Sequence, residues 1–199
     1  MFDFRRRIVP IILAFAFAGC SDSTEPINLR VGLFVVDNVQ LSALLHYPSR
    51  GMEEELRLDN TLESAIAKAF RRVYSSVDIL ESYPTQQTTD SKHLDFVVIA
   101  EVLGGGGSVG HEGSQLWNRG EADHSLSVKL IFYTHEMKQV TSVKASGAGS
   151  GESIRFLFTA EKNAADKAIK AAMRSLGDDI VQQVHVNPDI RNIAKQSRK

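Results

Sequence analysis

Three glycines, Gly147, Gly149 and Gly151, fall on alternate positions of the stretch from Gln139 to Glu152. Alternate residues of an extended strand share one face, so this pattern strips one face of a strand of its side chains. A helix packed closely against that face explains the missing side chains. The following segment supplies one. From Ala160 to Val184, Ala165, Ile169, Ala172, Met173, Leu176, Ile180 and Val184 form a stripe at helical spacing. Its alanines let the helix axis approach the glycine-bearing strand. Gly177 within it is a local weakness of roughly 1 kcal/mol relative to alanine.

Other elements follow from the same two periods. Leu29 to Val36 is rich in β-branched and aromatic residues, as a first strand is. The stretch 37–59 shows no clear period; its Pro48-Ser49-Arg50-Gly51 is a turn signal, and Glu55 to Leu58 suits a short strand. Asn60 with Glu63 makes a capping-box-like start to a helix whose Leu62, Ile66, Ala69, Phe70 and Val73 share a face. Val77 to Leu80 is a short strand. Leu94 to Leu103 is nearly all apolar and suits a central strand buried on both faces. Leu126, Val128, Leu130 and Phe132 alternate with other residues as in a half-buried antiparallel strand, and Thr134 to Lys138 turns the chain into the glycine-bearing strand. Asn187-Pro188 matches the cap and first position of a last short helix to about Lys195. The expected class is α+β: a mixed or antiparallel sheet of about four to five strands, with two main helices on one face.

The amino end has a different character. Arg5, Arg6 and Arg7 precede an apolar run from Ile8 to Ala18, interrupted by Pro10. A run of that length suits a signal peptide, whereas a membrane-spanning helix needs about 20 apolar residues. Phe17-Ala18-Gly19-Cys20 closes it, and Cys20 is the chain's single cysteine. The tetrapeptide resembles the lipobox of bacterial lipoproteins, with Phe17 where an aliphatic residue is usual. That resemblance implies cleavage between Gly19 and Cys20, a diacylglycerol thioether on Cys20, and an acylated amino terminus. Each buried methylene then adds about 0.8 kcal/mol of membrane affinity. The expected organisation is a signal peptide over 1–19, an acylated cysteine and tether over 20–28, and a single periplasmic domain over 29–199. Ser21, and not aspartate, follows the cysteine; in Gram-negative lipoproteins this favours the periplasmic face of the outer membrane. Residues 1–19 carry three arginines and one aspartate, net +2, so residues 20–199 carry −3 against the whole chain's −1. Such a balance argues against nucleic acid as a partner.

Little in the chain suggests catalysis. The run Gly104-Gly105-Gly106-Gly107-Ser108-Val109-Gly110-His111-Glu112-Gly113 lacks the lysine and following helix of a phosphate-binding loop, so a mobile or bulged hairpin connection is expected there. Its tip carries Leu116 and Trp117, the only tryptophan. A surface built from Gly104, Gly107, His111, Leu116 and Trp117 would suit partner binding; local packing of Trp117 against the sheet end accounts for the same residues. The six histidines form no HxH or HxxxH pattern, and His111-Glu112 offers two metal ligands at most. No nucleophile elbow or free thiol beyond Cys20 is present. Expected, therefore, are no metal, no cofactor and no catalytic residue. The competing expectation is a periplasmic enzyme whose site converges from His111, Glu112 and His124. Arg191 to Lys199 is a basic tail, more simply solvated than bound to lipid.

The segment EKNAADKAIKAAMRSLGDDIVQQVHVNPDIRNIAKQ, residues 161–196, resembles the closing helix of small Gram-negative lipoproteins of the YajG type. That similarity covers the carboxyl-terminal third; the glycine run and residues 37–59 depart from it. The element order also resembles the lipopolysaccharide-assembly lipoprotein that plugs an outer-membrane barrel. These resemblances imply fold and location more than activity. They lead to the expectation of a non-catalytic accessory lipoprotein, held in the lipid bilayer through Cys20 and contacting an envelope protein or a glycolipid.

Overall fold

The computed structural model describes residues 26–36, 42–47, 52–57, 59–113, 117–156 and 160–196. In chain order they form β1 (Ile27–Val35), β2 (Ser42–Tyr47), β3 (Met52–Arg57), α1 (Asp59–Arg71), β4 (Tyr74–Ile79), α2 (Gln86–Lys92), β5 (Phe96–Gly113), β6 (Trp117–Thr134), β7 (Gln139–Phe156), α3 (Ala160–Val186) and α4 (Pro188–Gln196).

Seven strands form one mixed sheet. The long strands β5, β6 and β7 pair antiparallel along almost their whole length. On the free side of β5, β1 pairs parallel with Phe96–Ala100, and further along β2 pairs parallel with Gly107 and Ser108. β4 lies parallel outside β1, and β3 antiparallel outside β2. The sheet is thus five strands wide at either end, β4-β1-β5-β6-β7 below and β3-β2-β5-β6-β7 above. The α+β class, the mixed sheet and the two main helices on one face are as the sequence predicts. The hairpin of β2 and β3 raises the total to seven strands, and the turn signal at Pro48–Gly51 separates them.

The lower end is buried on both faces. Phe96, Val97, Val98, Ile99 and Ala100 are all inaccessible, as the apolar run predicts. On one face Leu62, Ile66 and Phe70 of α1, with Val73 just beyond it, join one core with residues of β1, β5 and β6. Phe70, Tyr74, Phe96 and Phe132 form a closed aromatic circuit with ring centroids 5.2–6.3 Å apart, tying α1 to β4, β5 and β6. On the other face Leu80 and Leu94, which flank α2, cover Val97 and Ile99. The helix α2 has no apolar period and is absent from the sequence expectations; a Thr85–Thr88 capping box starts it, and Thr89 Oγ1 donates to the His135 carbonyl at 2.7 Å. At α4 the predicted cap is present, since the Asp189 N–H donates to Asn187 Oδ1 at 2.9 Å.

The predicted close approach of α3 to the glycine strand is the dominant feature of the upper end. A Cβ placed on Gly147 or Gly151 would overlap the carbonyl oxygen of Ala172 or Ala164, and one on Gly149 would overlap the Ala172 nitrogen. Two strand residues advance about 6.7 Å and four helical residues about 6 Å. Each successive glycine therefore meets the next turn of α3: Gly147 at Ala172 and Leu176, Gly149 at Ala168 and Ala172, Gly151 at Ala164 and Ala168. The contact row is Ala164-Ala168-Ala172-Leu176, immediately beside the predicted line through Ala165 and Ile169.

Candidate functional site

The glycine run proves to be strand. Gly104 to Gly113 are the outer half of β5, each paired with a residue of β6 from Ser127 to Asn118. This corrects the expected loop over 104–121. Ladder hydrogen bonds come from the backbone, so a run without side chains pairs as readily as any other once its neighbours are in place. The glycines also have a packing cause. A Cβ on Gly105 would come within 2.8 Å of Leu126 Cδ1, and one on Gly107 within 3.0 Å of His124 Nδ1. Excising Gly104–Gly113, harmless for a free loop, would remove the strand on which β2 and β6 both pair.

The residues singled out from sequence do not gather at one point. Gly104 and Gly107 lie in mid-strand. His111 and Glu112 follow in β5, opposite Gly120 and Arg119, and Trp117 opens β6 opposite Phe156. Leu116, Gly19 and Cys20 lie outside the described residues, as do the side chains of His111, Glu112 and Trp117. Adjacent strand positions face opposite ways, so 111 and 112 belong to different faces of the sheet. His124 pairs with Gly107, four rungs from His111, or about 13 Å. Positions His111, Glu112 and His124 thus do not converge. Among the described residues, no group of three His, Cys, Asp or Glu stands together as a metal site.

Of these three positions, His124 alone has a described side chain, and the structure buries it. It is 2% exposed, its rung places it between Gly107 and Gly149, and neither ring nitrogen has a hydrogen-bond partner among the described residues. The neighbouring positions on that face of the arm are Gly105, Val109, Ala122 and Leu126, beneath the alanines of α3. Burial disfavours the charged imidazole and lowers its pKa from the usual 6.5. In the unfolded chain it would titrate normally, so between the two pKa values the unfolded state binds more protons. Stability is then full above about pH 6.5 and falls as pH drops through the lowered folded value, by at most about 1.4 kcal/mol per pH unit. His124→Leu is expected to flatten this slope, measured by urea unfolding between pH 5 and pH 7. An unchanged slope would show that His124 is not its source.

The opposite face of the upper end carries small residues and Asp123 beside an ion cluster of Arg119 with Glu121 and Glu152. A depression of about 500 Å³ lies over Gly106, Asp123, Ser125, Ala148 and Ser150. Asp123 stands in register between Ser108 and Ser150. These hydroxyls and the carboxylate can form hydrogen bonds with a ligand. The outer edge of β7 has no strand beside it among the described residues.

No protein-family model and no curated protein matches the sequence. Several solved structures resemble the fold in outline. A neuraminyllactose-binding hemagglutinin homolog from Helicobacter pylori is 12% identical, with 86% of this chain and 93% of that one covered, at a TM-score of 0.46. A minor lipoprotein from Acinetobacter baumannii is 12% identical over 86% and 94%, at 0.33. Lipoprotein GNA1162 from Neisseria meningitidis is 13% identical over 79% and 99%, at 0.37. Likeness at this level assigns no activity and no partner.

Proposed function

We propose that this protein is an acylated lipoprotein of the bacterial envelope, held at the periplasmic face of the outer membrane through Cys20. Its domain acts as a non-catalytic binding subunit in envelope assembly or transport. The observation that carries this is Ala18-Gly19-Cys20 at the end of an arginine-led apolar run too short to span a bilayer. The first strand among the described residues, β1, begins soon after, at Ile27. No helix among the described residues is long and apolar enough to cross a membrane. The separation of His111, Glu112 and His124 along β5 and β6 favours binding over catalysis. A partner, an envelope protein or a glycolipid, has two surfaces to use. The edge of β7 offers backbone donors and acceptors for an added strand, apart from the Ser146 N–H and the Glu152 carbonyl, which Asp179 and Lys167 of α3 already hold. The small polar face over Asp123 offers hydroxyls.

The direct test is Cys20→Ser with fractionation of membranes and intact mass. The variant is expected to keep its leader and to leave the outer-membrane fraction. Normal processing and normal outer-membrane recovery would end the lipoprotein proposal. Crosslinking in whole cells with a photoreactive residue at Val140, exposed on β7, would then identify the partner.

A further inference from the structure

The helix layer carries an unused groove. Between α1 and α3 lies a cleft of about 630 Å³ whose floor includes Ala65, Ala69 and Met173. Lys68 and Arg72 stand one turn apart on the α1 side, and Lys170 and Arg174 one turn apart on the α3 side. One carboxylate is present: Asp178 pairs with Arg72 at 2.6 Å. Among the described residues Lys68, Lys170 and Arg174 make no ion pair. Helix-end electrostatics account for Lys68 and Arg71 in the last turn of α1. They do not account for Lys170 and Arg174, which lie in the middle of α3. Two cationic rims facing each other across a cleft match a single phosphate set between them.

The start of the domain adds a second observation. The Ile27 N–H donates to the carbonyl of Val73 at 2.7 Å, so β1 begins beside the residue that follows Arg72. Six residues lie between Cys20 and Ile27, so the two are at most about 25 Å apart. An anchor at Cys20 therefore keeps the Arg72 end of the groove close to the bilayer surface. We propose that the α1–α3 groove binds the phosphate headgroups of anionic phospholipids in the membrane that holds the anchor, seating the domain with its helix layer against the lipid. This rests on the anchor at Cys20 for its geometry, while the charge match of the groove is independent of it.

The test uses the full protein as isolated from membranes, mixed with vesicles of phosphatidylcholine alone or of phosphatidylcholine with phosphatidylglycerol. Flotation is measured, together with acetylation of Lys68 and Lys170 by mass spectrometry, with Lys144 on the far face as reference. Flotation with both vesicles reports the anchor. The groove is supported if Lys68 and Lys170 are protected several-fold more in the anionic vesicles, and if Arg174→Glu or high salt removes that protection. Equal labelling in both vesicles with normal flotation overturns the groove and leaves the anchor standing. Flotation with anionic vesicles alone, with an unmodified Cys20, supports the groove and ends the anchor. Protection in both vesicles that grows with protein density overturns it in favour of a second copy, whose β3 carries Glu53, Glu54 and Glu55.

Discussion

Gly149→Val is expected to destabilise the domain by about 3 kcal/mol or more, read as a fall in the urea midpoint at constant slope. Overpacking a core ordinarily costs about 1–3 kcal/mol. Here the obstacle is backbone, because the new Cβ would overlap the Ala172 nitrogen and lie 2.5 Å from the Ala168 carbonyl oxygen. A helix of 27 residues cannot swing one turn aside without lifting its neighbours, Ala164 and Leu176, from β7. Set against a typical total of about 5–15 kcal/mol, that is a large fraction. Gly106→Ala is the contrasting control. Nothing lies within 4 Å of its Cβ position, so it should stabilise the strand by about 0.5–1 kcal/mol. Equal midpoints for the two variants would mean that α3 does not rest on the glycine row.

Phe132→Ala should cost about 3–5 kcal/mol, the range for truncating a fully buried phenylalanine. Phe132 on β6 touches both Phe70 on α1 and Phe96 on β5, with centroids 6.2 and 6.3 Å away. Its loss leaves a cavity bounded by helix and sheet together, and neither can collapse into it alone. Thermal unfolding should shift markedly, and a small shift would indicate that α1 can repack onto the sheet. Neither substitution touches Cys20, so surviving folded protein should still anchor as the native chain does.

How much of this was legible in the residues depends on what each signal requires. The stripe of α1 and the alternation of Leu126 to Phe132 are local patterns, and the structure follows them. The alternate glycines at 147, 149 and 151 together with the alanines after 160 specified a close strand–helix contact. There the absence of side chains was itself a pattern with a steric meaning. The same logic applies to Gly105 and Gly107, which make room for Leu126 and His124. Four successive glycines show no alternation, however, and so resemble a loop. The helix α2 rests on a cap and one threonine contact to the chain near His135, and no periodic stripe marks it.

The chemistry divides in the same way. A leader, a short apolar run and Ala18-Gly19-Cys20 are linear features, so the expected anchor comes from the sequence by itself. The helix and strand faces, the capped start of α4 and the pairing of bare strand with alanine helix were determined there too, because each is fixed by residues near in the chain or by sterics. Only the tertiary structure decided that the glycine run is a paired strand and that His111 and His124 lie four rungs apart. It alone buried His124 without a hydrogen-bond partner among the described residues and set Lys68 and Arg72 across from Lys170 and Arg174. Strand register and helix–helix juxtaposition join residues far apart in sequence through backbone bonds and shared burial, and no local spacing encodes either.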